Sequence, residues 1–194
     1  MESSGQYYAY KKNSVIFVID TLGHADHIAI AYLSSVAKQR GYATYFCLLS
    51  GSDLQTMVLD IKPDIVAYSA NVVSFKNIVE HHKRAIAVHK FISILGGPQA
   101  TFLPGSFKES GMDAYCVGEG EEAFGEFLDR VKAGQPFDDV LNLVTHKGAN
   151  TVRPLISNLD TLPMPDRDLV LSNSFLKNIS KKNILHNERL SIFL

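Results

Sequence analysis

The stretch FISILGGPQATFLP, residues 91–104, joins a short apolar run to two adjacent glycines and a proline. Its β-branched and aromatic residues are typical of a strand that is covered on both faces of a sheet. One glycine is enough to turn a chain, so the pair Gly96-Gly97 needs a second explanation. Glycine also allows another group to approach the backbone closely. We interpret the motif as the end of a strand at which a ligand contacts the backbone.

The same order, an apolar run followed by a helical pattern, recurs along the chain. Continuous apolar runs predict strands at residues 15–20, 43–49, 65–70, 91–95 and 114–117. Helical spacing predicts helices at 28–41, 52–61, 75–89, 105–111 and 122–134. This alternation favours an α/β fold with a flavodoxin-like, doubly wound, five-stranded parallel sheet in the order 2-1-3-4-5. On the third of these helices we expect His81, His82 and His89 to be solvated or half-buried.

The pattern changes after residue 134. Alternating residues around Lys147-Gly148 predict a small hairpin, and residues 154–169, which hold three of the seven prolines, predict an extended connector. The chain ends on the apolar residues IFL, and from this we expect that it is cut from a longer protein. The predicted organisation is a flexible leader at 1–13, the sheet domain at 14–134, the hairpin and connector at 135–168, and the start of a linker at 169–194.

Composition and charge exclude several classes of partner. The formal net charge is −1, which gives no electrostatic attraction for nucleic acid or an anionic membrane. No apolar run reaches the roughly 18 residues of a membrane-spanning helix, and the first residues lack a secretory signal. Cys47 and Cys116 lie in apolar runs and match no metal-ligand spacing. We therefore expect free, buried thiols and a cytoplasmic protein with neither nucleic-acid nor membrane partners.

Small residues follow most of the predicted strands. In an open α/β sheet, ligands bind at the carboxyl ends of the strands, near the reversal of strand order. These ends are residues 20–24, 69–71, 96–99 and 118–121, and the last three are rich in glycine, alanine and serine. A dinucleotide site is excluded because the first loop lacks Gly-x-Gly-x-x-Gly, and no Walker loop is present. The paired acids of a phosphoacceptor receiver are also missing.

Five motifs carry a more specific resemblance: AYLSSVAKQRGY (31–42), PDIVAYSA (63–70), ILGGPQATFLP (94–104), DAYCVGEGEEAF (113–124) and LDTLPMPDRDL (159–169). With these motifs in this order, the chain resembles the N-terminal cobalamin-binding domain of cobalamin-dependent radical SAM enzymes, which include methyltransferases and oxidative cyclases. The resemblance implies a cobalamin-binding module without a complete active site. It also implies a longer protein, in which the connector leads to a radical SAM barrel that holds a [4Fe-4S] cluster and S-adenosylmethionine.

The resemblance also assigns the strand ends to parts of cobalamin. The nucleotide tail would insert between the sheet and its helices, where Ser69, Gly96 and Gly97 leave room. Backbone N–H groups at residues 118–121 would face the phosphate or ribose of the tail. A carboxylate beside a phosphate is unfavourable, so Glu119 and Glu121 would cap the following helix or face solvent.

The corrin amides would meet three polar side chains, those of Asn71, Gln99 and Thr101. The full set of implied cobalamin contacts is Leu22, Gly23, His24, Ser69, Ala70, Asn71, Gly96, Gly97, Pro98, Gln99, Thr101, Gly118, Glu119 and Gly120. The resemblance implies neither a catalytic residue nor a metal-ligating side chain in this chain.

The loop after the first strand departs from other cobalamin proteins. Those of the mutase type carry Asp-x-His-x-x-Gly, whereas here Asp20 is followed by Thr21-Leu22-Gly23. His24 and His27 lie in this loop, and two interpretations stay open for them: a contact with cobalt or corrin, or a position at the surface or at the start of a helix.

Two alternatives to a cobalamin module stay open. The first is an α/β regulatory or interaction domain without corrin. The second is a standalone small-molecule enzyme. It would have only four titratable groups at the strand ends: Asp20, His24, Glu119 and Glu121.

Overall fold

A computed structural model describes residues 13–21 and 28–171. The strands are β1 (Ser14–Ile19), β2 (Ala43–Leu48), β3 (Ile65–Ser69), β4 (Ile92–Gly96), β5 (Ala114–Cys116), β6 (Leu143–Thr145) and β7 (Gly148–Ala149). The helices are α1 (Ile28–Gln39), α2 (Leu54–Ile61), α3 (Phe75–Val88), α4 (Pro98–Phe102), α5 (Phe107–Ser110), α6 (Glu121–Lys132) and α7 (Arg167–Leu171). The predicted leader, apart from Asn13, and most of the predicted linker lie outside the described residues.

The described strands form one sheet in the order β2-β1-β3-β4-β5-β6-β7. The first five are parallel, which confirms the predicted order 2-1-3-4-5. All six residues of β1 are buried, because this strand has β2 on one side, β3 on the other, and helices over both faces. Strand order reverses between β1 and β3, which places the expected ligand site at that point of the carboxyl edge.

The predicted hairpin is part of the sheet, so the prediction of five strands was two too few. β6 pairs antiparallel with β5, where Tyr115 lies opposite Val144, and β7 pairs with β6. β5 has only three residues, all of them buried. Without a neighbour its outer N–H and C=O groups would be buried and unpaired, and the hairpin pairs them.

Helices cover the two faces of the sheet with separate hydrophobic cores. On one face α1, α6 and α7 pack around Phe17, Ala67 and Ile94. On the other face α2, α3, α4 and α5 pack around Tyr68 and Leu95. This arrangement confirms the doubly wound fold, with the residues of each strand alternating between the two cores. Within the described ranges, no helix is both long and apolar enough to cross a membrane.

The segment after Gly97 is a short helix, which was not predicted from the sequence. Gly97 has φ +85° and precedes α4, with Pro98 as the first helical residue. Proline is favoured there because its fixed φ suits the first turn and the N–H that it lacks would have no intrahelical partner. The Gln99 N–H donates to the carbonyl oxygen of Ala70 at 2.9 Å, which ties the new helix to the end of β3.

The prediction for the α3 histidines was wrong for His82, which is 2% exposed. It lies one helical turn beyond Ile78 on the buried side of α3. Nδ1 of His82 is 3.2 Å from the Tyr68 hydroxyl, and Nε2 is 3.3 Å from the Gly111 carbonyl oxygen. Burial lowers the pKa of His82 below its usual value, and the contact with the Gly111 carbonyl opposes this shift. The neutral imidazole therefore has a hydrogen-bond partner at each of its two nitrogens inside the core.

The connector folds back onto α1 instead of extending away from the sheet. Ser35 Oγ donates to the Met164 carbonyl oxygen at 2.6 Å, and Ser34 Oγ donates to Asp166 at 2.6 Å. Asp166 also forms an ion pair with Lys38. Two short elements, a 3₁₀ turn at Leu159–Thr161 and α7, interrupt the predicted extended segment. The Pro-Met-Pro-Asp motif therefore fixes the end of the connector against the helix that begins beside the carboxyl edge.

Candidate functional site

A cavity of about 450 Å³ opens at the carboxyl edge of the sheet, on the face that α1 and α6 cover. Its floor contains apolar side chains of the strands, Phe17, Ala67 and Ile94. Ile30 and Leu33 of α1 form one wall, and the loop between β5 and α6 forms another. The volume lies within the range of about 300–1,000 Å³ that is typical of small-molecule sites. The fold therefore places a ligand-sized space at the point where strand order reverses.

Side chains on this face become smaller toward the carboxyl ends of β3 and β4. Because side chains alternate along a strand, every second residue faces the same core. The series on the cavity side are Ile65, Ala67 and Ser69 in β3, and Ile92, Ile94 and Gly96 in β4. This decrease in side-chain size leaves the cavity between the sheet and the helices that cover it.

The two glycines of the motif have different structural reasons. Gly97 has φ +85°, and a Cβ on it would lie 2.9 Å from both the Ala70 carbonyl oxygen and Ser69 Oγ, so the fold requires glycine there. Gly96 has no such φ, and the nearest atom to an added Cβ is the Tyr68 carbonyl oxygen at 4.0 Å. The fold would accept a side chain at Gly96. Its absence leaves space in the cavity.

Two hydroxyl groups lie at the cavity. Ser69 lines the cavity, and its Oγ has no side-chain hydrogen bond with another residue that the structure describes. Thr101 Oγ1 accepts a hydrogen bond from the Gly118 N–H at 3.1 Å. Thr101 therefore links the end of α4 to the loop between β5 and α6.

Residues 118–120 form the loop that leads into α6. Gly118 has φ +78°, and Gly120 precedes the helix without any side-chain cap. The first N–H groups of a helix have no partner within the helix, so those of α6 are available beside the cavity. Glu119 is exposed, as predicted, and its Oε2 accepts a hydrogen bond from the Ile156 N–H at 2.8 Å.

Seven of the fourteen predicted contact residues line the cavity: Ser69, Gly96, Gly97, Thr101, Gly118, Glu119 and Gly120. Four others lie near the carboxyl edge but outside the cavity: Ala70, Asn71, Pro98 and Gln99. The remaining three, Leu22, Gly23 and His24, lie outside the described residues, as does His27.

The four residues outside the cavity are held by other contacts. Ala70 belongs to the core on the opposite face of the sheet. Asn71 uses its Oδ1 to accept from the N–H groups of Val73 and Ser74. Pro98 begins α4, and Gln99 is 3% exposed and donates to Ser106 Oγ at 3.0 Å. Because α4 turns Gln99 into the protein, its side chain does not reach the cavity.

Several lining residues were not predicted from the sequence. Ile30 and Leu33 are three positions apart in α1, and this spacing is a signal for one helical face. Leu155 lies in the connector, where no periodic pattern marks it. Cys116 also lines the cavity, and both cysteines are free and buried, as predicted. Burial raises the pKa of the Cys116 thiol to about 12, so the group is protonated at neutral pH.

A family model described as "B12 binding domain" matches residues 15–128, which is more than half of the chain. The chain belongs to the B12-binding domain family. The match begins in β1 and ends in α6, so it includes the ends of β3, β4 and β5 that line the cavity. The hairpin and the connector lie beyond the matched residues.

This B12-binding domain is similar to a longer curated protein, an uncharacterized methyltransferase of Pyrococcus horikoshii. The two are 30% identical over 158 residues, which cover 74% of this chain and 34% of the relative. The chain therefore spans about a third of the length of that protein.

Two solved structures are similar in fold, both of the radical S-adenosylmethionine methyltransferase TsrM from Kitasatospora setae. The first, with tryptophan substrate and the SAM analog aza-SAM, has a TM-score of 0.64 and 15% identity, over 74% of this chain and 30% of that chain. The second, with cobalamin and a [4Fe-4S] cluster, has a TM-score of 0.60 and 16% identity, over 80% of this chain and 32% of that chain.

Proposed function

We propose that this B12-binding domain holds cobalamin with the corrin across the carboxyl edge of the sheet and the nucleotide tail in the cavity. The observation that carries this proposal is Gly96. The fold does not require glycine at this position, yet the missing side chain widens the cavity between β4 and α1. A ligand that enters between the sheet and its helices gives a physical reason for that residue.

The lining of the cavity fits the chemistry of the tail, which consists of an aromatic base, a ribose and a phosphate. The apolar floor of Phe17, Ala67 and Ile94 suits the base. The Ser69 hydroxyl lines the cavity and suits a hydrogen bond with it. The N–H groups at the start of α6 suit the phosphate or ribose, because the helix dipole favours a negative group there. The Glu119 carboxylate accepts from Ile156 and is thereby held at the connector.

The role of the chain is to bind and orient the cofactor. When bound, cobalamin supplies a cobalt atom that can carry a methyl group. The strand ends fix the position of the ring because they belong to a sheet whose central strands are buried on both faces. The apolar floor excludes water from the base, which strengthens the polar contacts around it.

We further infer that the module belongs to a radical SAM enzyme of the methyltransferase type. Support comes from the family motifs, from the longer methyltransferase of P. horikoshii and from the fold shared with TsrM. The partner domain, in the same longer protein, would carry the [4Fe-4S] cluster and S-adenosylmethionine. In this proposal residues 14–134 form the cofactor domain, residues 135–168 join it to the barrel, and the free cysteines fit a cytoplasmic location.

The test is to incubate the purified chain with hydroxocobalamin, remove free ligand by desalting, and record the visible spectrum. We expect the wild type to retain corrin absorbance. Gly96→Val should bind at least about tenfold more weakly, or about 1.4 kcal/mol, because the new side chain enters the cavity. Gly105→Ala, at a glycine with no atom within 4 Å of an added Cβ, is the matched control and should bind like the wild type. A folded wild type without corrin absorbance contradicts the proposal and favours the regulatory-domain alternative.

A further inference from the structure

We propose that Asn142 and Arg153 are positioning residues of the cobalamin site, although both lie outside residues 15–128 that match the family model. This inference rests on the proposed function. Their contacts hold the loop between β5 and α6, residues 118–120, which forms one wall of the cavity. The site then depends on a bracket of residues 142–156, contributed by the hairpin and the first part of the connector.

Asn142 is a buried polar residue, 2% exposed, with φ +71°. Its Nδ2 donates to the carbonyl oxygens of Val117 at 2.8 Å and Glu119 at 3.3 Å. Its backbone carbonyl accepts from the Val117 N–H at 2.9 Å. One residue thus contacts the loop from both its side chain and its main chain, immediately before and within the Gly-Glu-Gly segment.

Arg153 holds the other end of the same amide. The Arg153 N–H and Nη1 both donate to Asn142 Oδ1, at 3.0 and 3.3 Å, and Nη1 also donates to the Leu141 carbonyl oxygen at 2.6 Å. Nη2 pairs with Glu126 of α6 at 2.5 Å. Arg153 therefore joins Asn142 to the helix that begins at the loop, which fixes the direction of α6 relative to the hairpin.

The connector holds the loop from a second direction. The Ile156 N–H donates to Glu119 Oε2 at 2.8 Å, and Leu155 lines the cavity. Both sides of the loop are thus bonded to residues 142–156. These bonds are needed because the loop contains two glycines, whose backbones lose the most conformational freedom on ordering. A loop that is ordered before the ligand arrives spares the ligand that entropic cost.

Asn150 provides a matched control within the same hairpin. Its Nδ2 donates to the carbonyl oxygens of Asp138 at 2.6 Å and Val140 at 2.9 Å. The two asparagines thus make the same kind of paired amide–carbonyl contact. Asn142 contacts the loop at the cavity, whereas Asn150 contacts the segment that leads into the hairpin.

The experiment compares Asn142→Gly and Asn150→Gly for binding of cobalamin and of cobinamide, which is the corrin without the nucleotide tail. Glycine keeps the positive φ of residue 142 and removes only the amide. We expect Asn142→Gly to weaken cobalamin binding about tenfold, since it deletes two hydrogen bonds that order the loop. Its affinity for cobinamide should stay near the wild-type value, and Asn150→Gly should leave both affinities unchanged. Thermal unfolding checks that each variant folds.

Three results would overturn the inference while the proposed function stands: unchanged cobalamin binding by Asn142→Gly, equal losses in the two asparagine variants, or equal losses for cobalamin and cobinamide. If Asn142→Gly does not fold, Arg153→Lys decides. This variant keeps the charge beside Glu126 but loses the forked contacts to Leu141 and Asn142, and we expect about a threefold loss for cobalamin alone. A folded wild type that binds no cobalamin overturns the proposed function and this inference together.

Discussion

The two faces of the sheet are filled to different degrees where β3 and β4 end. Toward α2 and α3, the strands carry Tyr68 and Leu95, both buried in a continuous core. Toward α1 and α6, the neighbouring residues in the same strands are Ser69 and Gly96, and a cavity replaces the core. The two faces share one backbone, and the side chains at these positions differ in size. The face toward α2 and α3 stabilises the fold by close packing, whereas the face toward α1 and α6 leaves a space for a ligand.

The largest effect on stability is expected for a substitution in the packed core on the face toward α2 and α3. Leu95→Ala should lower the free energy of unfolding by about 2–5 kcal/mol, because it leaves a void among side chains that cannot collapse around it. Urea denaturation measures this loss. The control is Leu103→Ala, at a leucine that is 46% exposed, which should change stability by less than about 0.5 kcal/mol. Equal effects for the two variants would show that this face is not the more tightly packed one.

An intermediate loss of stability is expected for a substitution at Gly97, and no loss for one at Gly96. Gly97→Ala should destabilise the protein by about 1–3 kcal/mol, because alanine is strained at φ +85° and its Cβ would contact the Ala70 carbonyl oxygen. Gly96→Ala should leave stability unchanged or raise it by up to about 1 kcal/mol, since glycine weakens a strand. Thermal denaturation of both variants checks this. Similar losses at the two positions would mean that the fold, and not a ligand, requires both glycines.

The smallest expected effect is a change of stability with pH, which is caused by the buried His82 on the face toward α2 and α3. Burial lowers the pKa of His82, so below the ordinary value of 6.5 the unfolded chain binds more protons than the folded one. The contribution of His82 is complete above pH 6.5 and is lost as the pH falls below it. We expect a loss of up to about 1 kcal/mol between pH 7 and 5.5. His82→Gln should flatten this part of the stability profile, and an unchanged slope in that variant would contradict the assignment.

Much of the fold follows from local sequence patterns. Continuous apolar runs locate all five parallel strands, and the small residues after the third, fourth and fifth runs mark the edge where the cavity lies. The decrease in size from Ile65 to Ser69 is also readable, once alternate residues are assigned to one face.

Other features depend on contacts distant in sequence. His82 has the polarity of a surface residue and is buried because Tyr68 and Gly111 satisfy its nitrogens. Gln99 was predicted to face the ligand, and α4 turns it inward. The bracket around Asn142 and Leu155 was not predicted. The alternating hairpin pattern does not show that Asn142 contacts the cavity loop, because this contact depends on the pairing of the hairpin with β5. No periodic pattern includes Leu155.

The most direct test of the central claim is denaturant unfolding of the wild type and Gly96→Val, each with and without cobalamin. At a cobalamin concentration 100-fold above the wild-type Kd, the wild type should gain about 2.7 kcal/mol, and a tenfold weaker variant about 1.4 kcal/mol. Without cobalamin, Gly96→Val should be at least as stable as the wild type. A Gly96→Val variant that is markedly less stable without cobalamin, or equal stabilisation of both proteins by cobalamin, would contradict a cobalamin site at Gly96.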